Sequence, residues 1–593
     1  FAPGVLQGRT PSYDLVQPGQ GAYRTYWKQF QPSAGFAWTV PDLPGALSWF
    51  SGKGGKAVVR GGYSISNVRE GMNVFVNIFG SNQGRTLSLN LTPENFPQIF
   101  GSPGSILFRD QTLPTRPFQP TPQFPLPVVA GNSVNEFDPS LRPGYVQSWS
   151  FSVQRELDKD TVVDFRYVGN HGTGLWRQVN LNEVNIVENG FLNEFRIAQQ
   201  NLAISRQQNP TATGFGNAGL PGQQDVPILR TSLGFISDTA TANTILRGEA
   251  GRLANDIALN ATRMGRLTAA GYPANLFLVN PTVVNGGSFL VTNSGHSTYN
   301  AFQMELRRRL KGGIQAQGSY SFSKSITNML SSSSTVFSQP TTFRNPGLDK
   351  GPSPWDVRHG FKWNWIYELP LGPGKNWLSG GPLLARKLVE GWQITGVTRV
   401  QSGSPFYLES DRRTFNSAVA QSASADSGVI LNGLNRRELQ DLVKIRKVSN
   451  PGSQNTIVYW LPQELVRNSQ AAFEVGGLGL NDLDRNQPYI GPPTEPGQLG
   501  QRIFLYGPWQ NFWDFSLLKR TSFGEKRSFE LRANFLNAFN VQNILLGSAA
   551  NEVNAGIVDS AFGQTRNAYR DFTVSGTNNP GGRLIEFILR VNF

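Results

Sequence analysis

The feature that most limits what this chain can fold into is an alternation of residue character with a period of two, repeated in segments about ten residues long. In Tyr145 to Leu157, one face carries Tyr145, Trp149, Phe151, Val153 and Leu157, and the other Ser148, Ser150, Ser152, Gln154 and Glu156. Successive side chains of a β-strand point to opposite sides, so the pattern predicts a strand with one greasy and one polar face. After Asp158-Lys159-Asp160 it resumes, with Val163, Phe165 and Tyr167 opposing Asp164 and Arg166, which makes a hairpin.

The same signature recurs along the chain. It spans Ala34 to Val40, Lys56 to Ser66, Tyr299 to Leu310, Ile314 to Ser323, Phe361 to Leu369, Trp392 to Val400, Trp513 to Lys519, Phe529 to Phe535 and Arg583 to Phe593. With the first hairpin this gives about eleven strands of the length a tilted membrane strand needs. No apolar run reaches the roughly 18 residues of a spanning helix, but alternating strands keep the average hydropathy low and escape that test. Composition agrees: Gly 64, Pro 38, Phe 39 and only 16% charged residues suit β structure with many turns.

Connections come in two alternating sets. The short ones fall near 41–55, 158–160, 311–313, 370–389 and 521–526, and the long ones near 67–144, 170–297, 325–357, 402–511 and 538–582. Short periplasmic turns and long extracellular loops are the habit of bacterial outer-membrane barrels. The expected fold is therefore all-β: a transmembrane antiparallel up-and-down β-barrel in the bacterial outer membrane, with long loops outside the cell. Tyr145, Trp363, Trp365, Tyr367, Trp392 and Trp513 are the candidates for aromatic girdles at the lipid interfaces. Two stretches of the second long loop, Phe191 to Arg206 and Thr244 to Met264, have helix-compatible spacing. Counting strand directions back from the periplasmic end at Phe593 makes the first strand run downward. An odd strand number conflicts with the even number of single-chain bacterial barrels, so further strands are expected upstream.

Several function classes are excluded or disfavoured. Cysteine is absent, which removes disulfides, thiolate nucleophiles and sulfur-ligated zinc. The net charge of +14 is spread singly rather than massed, so no nucleic-acid partner is expected. His359 beside Asp356 and Arg358 reads as a loop-to-strand anchor, and no catalytic, cofactor or metal motif stands out. An enzyme is not expected.

A set of segments, in order along the chain, resembles a known family. They include Val59-Arg60-Gly61-Gly62-Tyr63, Tyr145-Val146-Gln147-Ser148-Trp149-Ser150, Tyr167-Val168-Gly169-Asn170-His171-Gly172, Gly391-Trp392-Gln393-Ile394-Thr395-Gly396 and Asn534-Phe535-Leu536-Asn537-Ala538-Phe539-Asn540. The chain resembles Oar-like TonB-dependent receptors of acidobacteria and related bacteria. That resemblance implies a 22-stranded barrel, a size known for plugged transporters, of which this chain would be the C-terminal half. The plug domain, which is not found in this chain, and TonB would then be partners.

The resemblance implies uptake of a large ligand through a plugged pore. The alternative is a structural or adhesive protein whose barrel anchors long loops that bind other surface proteins. Asp164, Arg166, Glu305, Arg307, Arg309, Arg399, Glu530, Arg532, Glu586 and Arg590 are the candidate charged residues of the lumen, read as cross-strand pairs and plug contacts. Phe587, Leu589, Val591 and Phe593 resemble the terminal signal read by the barrel-assembly machinery.

Overall fold

The computed structural model describes residues 12–593 except 16, 46–47, 53, 81, 83–123, 129–132, 283–286, 330–339, 418–425, 450–455, 474–482, 524–526, 545, 547–555, 558 and 566–581. Much of the expected loop 67–144 thus lies outside the described residues.

Eleven strands form one antiparallel meander in chain order. They are β1 (Ser33–Thr39), β2 (Ala57–Asn67), β3 (Tyr145–Asp158), β4 (Thr161–Asn180), β5 (Ser288–Lys311), β6 (Ile314–Thr327), β7 (His359–Glu368), β8 (Trp392–Gln401), β9 (Gln510–Phe523), β10 (Arg527–Leu536) and β11 (Leu584–Asn592). These are the eleven that alternation predicts. Among the described residues, β1 and β11 each pair on one side only and form the two edges of the sheet.

Register keeps each side's character continuous across strands. Tyr167 lies opposite Phe302 and Phe165 opposite Met304, while Asp164 lies opposite Glu305. Phe529 lies opposite Val591 and Ala533 opposite Phe587, while Glu530 lies opposite Arg590. A one-residue slip would exchange the two faces, so the alternation itself fixes the register. The apolar face is not covered: Phe151 is 49% exposed, Phe302 43% and Leu589 62%. In water such a face would bind something or aggregate, whereas hydrocarbon solvates it.

Glycines inside the strands have a shared reason. Phe36 faces Gly61, Trp149 faces Gly169, Trp363 faces Gly318 and Trp365 faces Gly396, each as a direct cross-strand pair. In every pair the ring lies over the glycine; a β-carbon on Gly396 would sit 2.6 Å from the Trp365 ring, and the other three would be closer still. The aromatic covers backbone that glycine leaves bare, and the bare backbone lets the ring lie flat against the sheet.

β4 and β5 run 20 and 24 residues, well past the stretches with the clearest alternation. Register breaks at Gly172 and Leu175 mark where this hairpin changes course above the rest of the sheet. The alternation weakens there because the hairpin's upper part packs against protein: Trp176 and Val291 are buried with Phe137, Leu141 and Ile78.

The hairpin carries a helical unit of α1 (Phe191–Gln208), α2 (Pro227–Leu233), α3 (Thr239–Leu246), α4 (Ala250–Ala258) and α5 (Ala261–Ala269). Its core includes Phe191, Phe195, Leu202, Leu229, Ile245, Ile257 and Phe277. α1 extends the expected helix 191–206 by two residues, but the expected helix 244–264 is broken into three pieces. Gly248 turns at φ 69°, and Asn260 caps α5 by accepting from the Arg263 backbone N–H at 3.1 Å. The residues between β8 and β9, joined by part of 538–582, make a second, mixed unit around Trp460, Leu408, Leu505 and Phe562. Where described, the connections between β4 and β5 and between β8 and β9 are folded bodies rather than open loops.

Candidate functional site

Two regions can act on a ligand: the polar face of the sheet and the body built above it. The expected charged residues all lie on strands, and all but Arg309, which sits in a register shift, share one side. Their ion pairs, however, close along strands rather than across them: Asp164 with Arg166 at 3.4 Å, Glu305 with Arg307 at 2.5 Å, and Glu530 with Arg532 at 3.0 Å. This corrects the cross-strand expectation, and around Asp164 and Glu305 the register supplies the reason. Asp164 faces the like-charged Glu305, and Arg166 faces Gln303 and Ser152, so Arg166 turns to the carboxylate two residues away on its own strand. Glu530 faces Arg520 and Arg590 yet pairs with Arg532 along its own strand.

Glu305 also accepts from Gln317 at 3.1 Å, and Glu586 accepts from Asn534 at 2.8 Å. Arg590 is opposite Glu530, but the described Glu530 ion pair is to Arg532. Lys362 and Arg399 are cross-strand neighbours of like charge, and Arg399 lies over the Phe512 ring at 4.4 Å. Arg309 falls past the last regular pair of the hairpin, where its backbone N–H donates to the Asp160 carbonyl at 2.8 Å. A groove of about 270 Å³ on this face is lined by Asp164, Arg166, Gln303, Glu305, Ser319 and Lys362. It can hold a polar chain or side chain carrying both donors and acceptors.

The aromatics on the other face sit at different heights. Tyr145 begins β3 at the loop end, Trp392 begins β8 at the turn end and Tyr367 is one residue from the end of β7. Trp513 is three residues into β9, and Trp363 and Trp365 lie within β7 over their glycines. Phe587, Leu589 and Val591 alternate outward on β11, and Phe593 is 92% exposed beyond it.

Above the sheet, residues 341–349 tie the two loop units together. Asp349 is fully buried and accepts from the Thr341 backbone N–H at 2.8 Å, the Thr341 hydroxyl at 2.5 Å and the Arg177 guanidinium at 2.8 Å. Arg502 of the mixed unit stands 3.7 Å from the same carboxylate. Glu183, at the foot of the helical unit, accepts from Thr342 at 2.6 Å and from the Phe343 N–H at 2.9 Å; burial still pushes its carboxyl up. Direct contacts complete the join. The Gly251 and Arg252 N–H groups donate to the Thr414 and Arg413 carbonyls, and buried Glu249 lies 4.0 Å from Arg412. Alternation could not reveal this node, because its members come from separate connections and no local spacing links them.

Asp356 and Arg358, read as an anchor, lie 3.2 Å apart; Asp356 accepts from Ser325 N–H at 2.6 Å and from Tyr506 at 2.8 Å. His359 stacks on Trp509 and shares a hydrogen bond with Tyr320. Among the described residues, no cluster of three or more metal-ligating carboxylates or imidazoles occurs.

A family profile described as outer membrane beta barrel domain matches residues 3–574. The chain belongs to that family. The barrel therefore lies in the outer membrane. No curated protein sequence matches it. Among solved structures, the outer membrane transporter YddB from Escherichia coli aligns with 92% of this chain and 39% of its own, at 8% identity and a TM-score of 0.34. The ferripyoverdine receptor of Pseudomonas aeruginosa aligns with 86% and 29%, at 8% identity and 0.27. The ferric-catecholate import receptor Fiu from Escherichia coli aligns with 94% and 34%, at 8% identity and 0.29. The chain thus spans at most about two fifths of these structures, and family membership rests on the profile match.

Proposed function

We propose that this barrel segment is the ligand-receiving part of a TonB-dependent outer-membrane receptor. Ligand would dock on the joined loop units and pass down the polar wall past a plug that rearranges when TonB pulls on it. The observation that supports this most is the charged inner face, with its groove at Asp164, Glu305 and Lys362. A wall dense in charges needs a polar filling, which a plug or water supplies. The open edges at β1 and β11 would be closed by further strands, since unpaired edge groups cannot face lipid.

The competing reading is an anchor whose loop units bind other surface proteins, and the apolar residues that the helical unit exposes, Phe235 and Val279, favour it. Two measurements on the full-length protein separate the readings. A plugged receptor leaves liposomes non-conducting and binds the purified TonB C-terminal domain. Non-conducting liposomes without TonB binding would leave the anchor, and steady conductance would leave a passive pore.

A further inference from the structure

A cleft of about 480 Å³ lies at the loop end of the sheet, lined by Tyr26, Lys28, Phe30, Arg142, Tyr145 and His296, among others. Its position on the sheet is set by register. Asn67, Tyr145 and Thr173 are cross-strand neighbours, and they fall on the alternation that carries Trp149, Phe151 and Tyr167 below. His296 likewise keeps the parity of Phe302 and Met304. The cleft therefore opens on the lipid side, where the apolar band meets the polar rim of the outer leaflet.

Its chemistry changes across that boundary. Below it lies the ring-covered band; at the rim, hydroxyl-to-amide bonds begin, Tyr63 to Gln147 at 3.0 Å and Tyr167 to Asn300 at 2.7 Å. Above them stand the exposed cations Lys28 and Arg142, and among the described residues no carboxylate lines the cleft. Arg142 is held from behind. Its backbone N–H donates to Asn293 at 2.9 Å, and its carbonyl accepts from Trp176 and Asn293, each at 2.7 Å. The guanidinium itself reaches over the Tyr26 ring, 5.8 Å from its centre. Beside them Trp27 and Phe30 are 86% and 80% exposed, the residue types favoured at a lipid interface.

We propose that this cleft binds the phosphate-bearing headgroup of an outer-leaflet lipid, with Lys28 and Arg142 on the phosphate and the acyl chains lying along the Trp149–Phe151 face. Among the described residues neither cation has an ion-pair partner, so together they attract an anion, and the apolar band directly below selects an anion that carries hydrocarbon. The proposal rests on membership of the outer-membrane family and not on the transport reading.

The test uses the full-length protein in nanodiscs of phosphatidylcholine containing a minority of phosphatidic acid, with native mass spectrometry reading which lipid stays bound. Wild type is expected to retain the phosphomonoester lipid several-fold over its share of the bilayer, and Lys28→Gln with Arg142→Gln to bring retention down to that share. Lys362→Gln, on the opposite face, should retain as wild type does. Equal retention by wild type and the double variant, with heat-modifiable migration intact in both, would overturn the proposal. Displacement of the lipid by millimolar inorganic phosphate would reduce the cleft to an ion site and overturn it as well.

Discussion

At the residue scale, two kinds of position carry the structure, and they fail differently. The strand glycines accept an aromatic ring across the ladder, so a branched side chain at Gly396 must displace Trp365 or part the strands. Overpacking of this sort costs about 1–3 kcal/mol. Gly396→Val is expected to lower the fraction of protein that migrates as a compact form without boiling, and adding Trp365→Ala should restore part of it. Asp349 behaves as a buried charge. Asp349→Ala leaves Arg177 buried with its main ionic partner gone, which costs about 3–5 kcal/mol. Surface proteolysis should then cut between the helical and mixed units, while the heat-modifiable sheet persists. An uncut cap would show that Asp349 is not what joins them.

At the element scale, the strands were legible and the cap was not. A membrane strand faces two uniform solvents, hydrocarbon and a polar interior, so its sequence states its orientation residue by residue. Phe302 to Leu310 could be read without knowing its neighbours. The upper parts of β4 and β5 face folded protein, and there the alternation lapses although the ladder continues. The helices were half legible: α1 is long and amphipathic, whereas the break at Gly248 depends on its close approach to Thr494 in another connection. The strands that carry the charges were legible, but not which charges meet: Glu530 has arginines opposite it on both neighbouring strands and still pairs with Arg532 on its own, a choice of side-chain geometry that spacing does not reveal.

The mixed unit also carries a pH dependence. Burial, with Asp426 beside it, pushes the Glu409 carboxyl from its ordinary 4.5 up to about 7, against the pull of Arg502. Between those values the folded unit holds a proton that the unfolded chain releases. Stability is then fully present below about pH 4.5 and is lost as the pH rises through about 7. Hydrogen exchange, corrected for intrinsic rates, should be faster in Pro405–Tyr407 and Phe504–Tyr506 at pH 8 than at pH 5. Glu409→Gln should flatten the difference. Slower exchange at pH 8 would contradict the assignment.

At the scale of the whole molecule, one chain carries three surfaces: an apolar sheet face, a charged sheet face and folded units at one end of the sheet. The apolar face is expected to meet lipid, and the folded units to lie outside the cell. These 593 residues contain no cysteine, so a single cysteine introduced among them reports its own position. Cysteine can be placed at Thr211 in the helical unit, at Lys159 in the turn between β3 and β4, and at Phe302 on the apolar face. In intact cells a membrane-impermeant maleimide should label position 211 only. Position 159 should label once the outer membrane is opened, and position 302 should resist until detergent strips the lipid. Labelling at 159 but not at 211 in intact cells would invert the orientation, and ready labelling at 302 would contradict the claim that this face meets lipid.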